Sequence, residues 1–224
     1  MQIVAARTLN TLYIFLDIAW LALFCGLLLV FKRRLALLVG LLAGLLYFLV
    51  DYGIFYRLLG TRSVQGADTF WFLLWLSFSY GITNFAWIWL LLERDRQSVE
   101  WSALIVSAWL ALALLSQNFG AGFPVITIQR GTGAYHGVMA LILFAGYLYI
   151  IIQNLRGKEK INILWLMAIG IGVQFSWEAV LLVTGIRPAG LGALLVNSLI
   201  ETNLGLPYIY FIQRAVTRKL GKQV

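Results

Sequence analysis

Seven long apolar stretches, each closed by a short polar or charged connection, constrain this chain more than anything else in it. On a window of about 19 residues they run Leu9–Phe31, Leu35–Tyr56, Phe70–Leu92, Trp101–Ser116, Ala134–Ile152, Ile161–Thr184 and Leu191–Val216. A helix crosses a bilayer core in about 20 apolar residues, and a membrane strand needs only about half of that. The stretches also lack the period-two alternation of a membrane barrel, so helix is the assignment for each. Seven crossings with short connections use up the 224 residues and leave no room for a second, soluble domain. Composition agrees: 12% of the chain is charged and 62% hydrophobic, where a soluble domain carries roughly 25% charged residues. The expectation is a single all-α domain over residues 1–224, a seven-helix transmembrane bundle. The weak N-terminal charge and the length of the first stretch read as a retained span rather than a cleaved signal.

The net charge of +8 marks topology, because the charges punctuate the apolar runs. Twelve basic residues (Lys32, Arg33, Arg34, Arg94, Arg96, Arg156, Lys158, Lys160, Arg214, Arg218, Lys219 and Lys222) fall on one side, and five (Arg7, Arg57, Arg62, Arg130 and Arg187) on the other. The richer side is cytoplasmic. An odd number of spans then places the N-terminus outside and the C-terminus in the cytoplasm. The location is an integral, multi-pass membrane protein, in the inner membrane if the source is bacterial. Nucleic acid is not an expected partner.

Four of the nine acidic residues lie inside spans: Asp17, Asp51, Glu178 and Glu201. A charge at the centre of a bilayer helix costs roughly 2.5–3.5 kcal/mol on insertion scales, so these acids should face the interior and are functional candidates. Asp51 and Glu178 fall roughly 8–9 Å below the outer helix ends, Asp17 deeper, and Glu201 near the midplane. That bias predicts one cavity shared by Glu178, Glu201 and at least one of Asp17 and Asp51. No Lys or Arg lies within two helical turns of Glu178 or Glu201, whereas Asp51 has Arg57 or Arg130 as a candidate partner.

Helical spacing brings neighbours onto the same faces. Asn10, Tyr13, Asp17 and Trp20 share one, and so do Tyr47, Asp51 and Phe55. Ser77, Tyr80, Asn84 and Trp87 form another, Gln174, Trp177 and Glu178 a fourth, and Asn197, Glu201, Gly205 and Tyr208 a fifth. Trp71 and Trp101, at helix ends, fit an interfacial belt, while Trp20, Trp87 and Trp177 fit a pocket wall able to stabilise a cation. The competing reading of Ser77, Asn10 and Asn84 is hydrogen-bonding glue between helices. One cysteine (Cys25) and one histidine (His136) build neither a disulfide framework nor a His- or Cys-rich metal site, so no metal is expected. There is also no phosphate loop and no lysine within a span. Asn84-Phe85-Ala86-Trp87 and Gln174-Phe175-Ser176-Trp177 echo each other faintly.

Gln174-Phe175-Ser176-Trp177-Glu178 in one helix and Glu201-Thr202-Asn203 in the last resemble the integral membrane terpene cyclases of fungal meroterpenoid and indole-diterpene pathways and their bacterial relatives. Those are small seven-helix proteins that use two intramembrane acids to protonate an epoxide or alkene. They carry a Trp-Glu pair in the first half, where this chain has Trp87-Ile88. The resemblance implies Glu178 and Glu201 as the acids, with Asp51 replacing a first-half acid. The leading functional expectation is a proton-initiated isoprenoid cyclase or isomerase. Its catalytic candidates are Glu178, Glu201, Asp51 and Asp17. Its substrate-binding candidates are Trp177, Trp87, Tyr80, Gln174, Asn84, Asn197 and His136. It takes a lipophilic small molecule from the membrane lipid and needs no cofactor. The alternatives are a proton-coupled or small-molecule transporter, with Gly205 and Pro207 loosening the last helix, and a scaffold or sensor in which the polar residues only knit helices.

Overall fold

The structure is a computed structural model that describes residues 5–130, 135–157, 160–188 and 190–220. Ala134, Lys158, Lys222 and the side chain of Arg130 lie outside the described residues. Helix starts follow local capping chemistry. Asn10 accepts from the Tyr13 amide, Asp68 from that of Trp71 and Asn162 from that of Trp165, satisfying N–H groups that have no helical partner.

The helices in order are α1 (Thr11–Val30), α2 (Arg34–Phe48), α3 (Thr69–Tyr80), α4 (Ala86–Leu92), α5 (Ser98–Phe119), α6 (His136–Leu155), α7 (Ile163–Val183), α8 (Leu191–Ile200) and α9 (Leu206–Leu220). α2 continues through a π-helical segment, Leu49–Leu58, and a π-helical turn, Gly81–Phe85, joins α3 to α4. Among the described residues five helices, namely α1, α2 with its extension to Leu58, α5, α6 and α7, are long and apolar enough to cross a membrane unbroken. The third and last apolar stretches are rods in pieces. The last breaks at the 3₁₀ turn Asn203–Gly205, and Pro207 stands in the first turn of α9, where its missing N–H has no helical partner anyway. Large apolar side chains such as Phe15, Leu23, Leu42, Leu141 and Phe144 face outward, as they would toward lipid.

The expectation of an entirely helical chain is corrected by a small antiparallel sheet. It has strands β1 (Ala5–Asn10), β2 (Arg62–Gln65) and β3 (Val125–Arg130) in the order β1-β3-β2. Leu9 and Asn10, the expected start of the first span, therefore close a strand, with Asn10 turning the chain into α1. β3 carries a local signal for this: Val125, Ile126, Thr127 and Ile128 are β-branched, with Ile126 and Ile128 alternating into the core. The Thr8 amide donates to the Ile186 carbonyl and that of Thr11 to Pro124. The N-terminal strand thus gathers the second, fourth and sixth connections at one end of the bundle. At another corner, Arg33 forms an ion pair with Asp95 and ties the α1–α2 turn to the α4–α5 turn.

α2 and the α3–α4 rod approach at backbone distance. A Cβ on Gly81 would lie 2.2 Å from the Gly44 nitrogen, and one on Gly40 2.9 Å from the Ile82 Cα. The Gly40-x-x-x-Gly44 spacing is the small-residue seam that lets membrane helices touch.

Candidate functional site

The sheet end of the bundle holds two buried ion clusters, and arginines from outside the spans complete both. Glu178, on the inner face of α7, is fully buried. Its carboxylate meets Arg187 of the α7–α8 connection at 2.7 and 3.0 Å and Arg7 of β1 at 3.2 Å. Gln174 Nε2, one turn earlier on α7, and Asn197 Nδ2 on α8 also donate to it, at 3.1 and 3.2 Å. The cations that spacing along the helix did not supply arrive from β1 and from the loop beyond the helix end. Asp51 pairs with Arg62 of β2, not with Arg57, which hydrogen-bonds the Tyr52 hydroxyl instead. Arginine suits both places, because its fork of donors can satisfy a carboxylate away from water.

The Gln174 amide links this cluster to the broken last rod. Its oxygen accepts from Tyr80 at 2.9 Å and from Thr202 at 2.5 Å. The next residue, Asn203, accepts from the Tyr147 hydroxyl at 2.6 Å. Glu201 ends α8, is buried beside this network, and has its amide bonded to the Asn197 carbonyl.

Arg7, Asp51, Tyr80, Asn84, Gln174 and Trp177 line a narrow pocket of about 20 Å³, the size of one water molecule. The Asn84 side-chain oxygen and the Trp177 indole N–H, both buried, have no hydrogen-bond partner among the described residues. Asn84 donates to the Tyr80 carbonyl. Trp177 sits edge-on to Trp109 with ring centres 5.0 Å apart, and Trp109 in turn meets Trp87 at 5.9 Å. Trp87 bonds Ser102 and lies outside the pocket lining. Trp20 stacks on Phe24 in the core. Trp71 is exposed, as a belt residue should be, but Trp101 is buried against Phe24 and Phe31, which corrects its assignment to the belt. His136 opens α6, away from the pocket lining.

Asp17 differs from Asp51 and Glu178. It is buried on α1 and accepts from the Trp75 indole N–H of α3 at 2.9 Å. No cation pairs with it among the described residues. Trp75 separates Asp17 from an apolar groove of about 730 Å³ on the outer face of the bundle. Ile14, Ile18 and Leu21 of α1 and Trp71, Phe72 and Phe78 of α3 form its walls, with Trp75 among them. On its other side Trp75 also lines a small cavity with Arg7, Tyr13 and Trp177.

The four expected acids therefore do not share one lining. Asp51 lines the water-sized pocket, Glu178 joins it through Arg7 and Gln174, Glu201 is buried at the end of α8, and Asp17 is bonded to Trp75. Inspection of the spans missed Arg7, Arg62, Arg187, Trp75 and Thr202. The signal for the first three was present. All five basic residues of the poorer side are arginines, while every lysine falls on the richer side. No family model matches the chain, and no curated protein or solved structure matches it either.

Proposed function

We propose that the chain is a seven-span membrane enzyme, a proton-initiated cyclase or isomerase of a lipophilic isoprenoid, with Asp17 as the acid that meets the substrate. The observation that carries this reading is an apolar groove whose lining includes Trp75, the residue that hydrogen-bonds Asp17. A groove of that size is on the scale of small-molecule sites, a few hundred to 1,000 Å³. It is lined by hydrocarbon and aromatic rings, which suit a hydrocarbon chain and can stabilise a positive charge on it. The water-sized pocket beside Arg7 cannot take such a chain. The resemblance to the membrane terpene cyclases supports the same chemistry but named Glu178 and Glu201 as acids. Two arginines occupy the Glu178 carboxylate, so the proton transfer is reassigned to Asp17.

The step balances within the substrate. The Asp17 proton adds to an epoxide oxygen or alkene carbon, π electrons of a second double bond close the ring, and the cation loses a proton back to the carboxylate. The product is an isomer of equal mass. In nanodiscs, the purified protein should convert a linear polyprenyl epoxide or alkene to a cyclic isomer detected by gas chromatography and mass spectrometry. Asp17→Asn keeps an acceptor for Trp75 and should lower turnover at least about 100-fold, the usual scale of a lost general acid, with unchanged thermal stability. No cyclic product from either the linear polyprenyl epoxide or the alkene, or full activity in Asp17→Asn, would overturn the reading.

The spans and orientation have their own test. The cytoplasmic placement of the basic connections rests on the twelve-to-five split of Lys and Arg. In a Cys25→Ser background, cysteines at positions 65 and 122 should react with an impermeant maleimide in intact cells. Those at 96 and 156 should react only after permeabilisation. The reverse pattern would invert the topology, and labelling of both sets in intact cells would remove a span.

One observation favours the carrier alternative. The Gly81–Phe85 π turn and the break after α8 both flank the Tyr80–Gln174–Thr202 network, and interrupted helices at a polar site are a transporter feature. Solute flux into proteoliposomes without chemical change would select it.

A further inference from the structure

A second cavity, of about 670 Å³, lies at the α4–α5 corner, between that corner, the start of α7 and the length of α9. Its charged lining is Arg94, Lys160, Arg214 and Arg218 against Glu93 and Asp95. The Asp95 carboxylate is taken up by Arg33. Glu93 accepts from the Trp89 indole N–H at 2.8 Å. Among the described residues four basic side chains thus face two acidic ones across the lining, and Arg33 is paired with one of those acids. The cavity's cations come from three separate parts of the chain, so folding concentrates a charge that the sequence spreads over 125 positions.

The aromatic residues of this cavity locate it in the membrane. Trp165 of α7 and Tyr210 of α9 line it beside the cations, and the Arg214 guanidinium lies 5.9 Å above the Tyr210 ring. Tryptophan and tyrosine concentrate at the headgroup level of bilayers. Ile161 and Leu166 add buried apolar surface to the lining. Cations gathered beside interfacial aromatic rings suit a phosphate-bearing anion better than a hydrocarbon. Arg94, at this corner, has a left-handed backbone conformation, with φ of +52°. A non-glycine residue rarely adopts that conformation, and functional sites are where it persists.

We propose that this cavity is an anion site for a phosphate group, with an acidic phospholipid headgroup as its source, separate from the Asp17 region. The test is native mass spectrometry and lipid titration of the full chain in neutral detergent. Four probes are compared: phosphatidylglycerol, cardiolipin, phosphatidylcholine and inorganic phosphate. The expected result is retention of phosphatidylglycerol or cardiolipin at affinities at least about tenfold above phosphatidylcholine. The double substitution Lys160→Gln with Arg218→Gln should reduce that affinity by about tenfold or more, each basic residue near a charged membrane surface contributing appreciably. Both side chains are exposed, so the variant should fold, and an unchanged melting temperature checks this. If inorganic phosphate at millimolar concentration competes fully with the lipid, the site stands and its ligand is a free phosphate. Equal binding of phosphatidylcholine, or a variant that retains acidic lipid at wild-type affinity, would overturn the proposal.

Discussion

Glu178→Gln should be among the most destabilising single substitutions in the chain, by about 3–5 kcal/mol, although it preserves the side chain's volume. The reason is the company that Glu178 keeps. Arg7 and Arg187 are buried on either side of its carboxylate, with 7% and 2% of their side chains exposed. Breaking a buried ion pair from one side leaves uncompensated charge out of water, and that residual charge carries the penalty. A glutamine can still accept one bond from each neighbour but cannot neutralise either guanidinium. Its amide N–H₂ would also face a donor: the Arg187 Nε if it replaces Oε2, and Arg7, Arg187, Gln174 and Asn197 together if it replaces Oε1. In detergent, the apparent melting temperature should fall by roughly 10 °C or more. Arg7→Met combined with Glu178→Gln should recover part of the loss, because one of the two orphaned charges is then gone. Asp17→Asn, which orphans no cation, supplies the matched control. An unchanged melting temperature in Glu178→Gln would mean that the arginines do not depend on it. This expectation also separates stability from catalysis: loss of activity in Glu178→Gln alone says nothing about proton transfer.

Gly81→Leu should abolish folding of the α2 and α3–α4 pair. The clash is with backbone: a Cβ at position 81 would sit 2.2 Å from the nitrogen and 2.3 Å from the Cα of Gly44. No rotamer relieves a contact made by the Cβ itself. The two helices would have to separate along their whole seam, opening voids around Phe78 and Ile82. Overpacking in ordinary cores costs about 1–3 kcal/mol, and a backbone-to-backbone clash lies beyond that range. Gly81→Ala should already lower the melting temperature measurably, and Gly81→Leu should leave no monodisperse peak in size-exclusion chromatography. Gly26→Ala gives the contrast, since nothing lies within 4 Å of a Cβ there. It should be neutral or slightly stabilising, as expected of glycine replaced in a helix interior. A monodisperse Gly81→Leu with wild-type stability would show that the seam is loose.

The two substitutions bear differently on the functional reading. The Glu178 cluster ties β1, α7, the α7–α8 connection and α8 together, and the Gly40–Gly44–Gly81 seam fixes α2 against α3. Trp75 sits on α3 between these two features, so its indole can hold Asp17 only if both hold the helices in place. Under the proposed function Glu178 positions the frame, and the proton donor is Asp17, which pairs with no cation among the described residues.

What the sequence determined by itself is what depends on short range. The length of each apolar run set the helices, since the cost of an unsatisfied backbone in hydrocarbon leaves no other choice. The helical period placed polar faces correctly while the helix stayed regular. Tyr13, Asp17 and Trp20 are all buried, as are Gln174, Trp177 and Glu178. The same extrapolation failed across the break at Asn203–Gly205: Asn197 and Glu201 face inward, but Tyr208 is 43% exposed. A turn of different pitch rotates everything beyond it. Tertiary structure alone decided the rest. One of the two counter-ions of Glu178, Arg7, is 171 positions away on β1, and that strand exists only because β3 and the sixth connection supply its partners. Which acid is neutralised by arginine and which is held by an indole N–H instead depends on where distant connections meet, and no local periodicity carries that information.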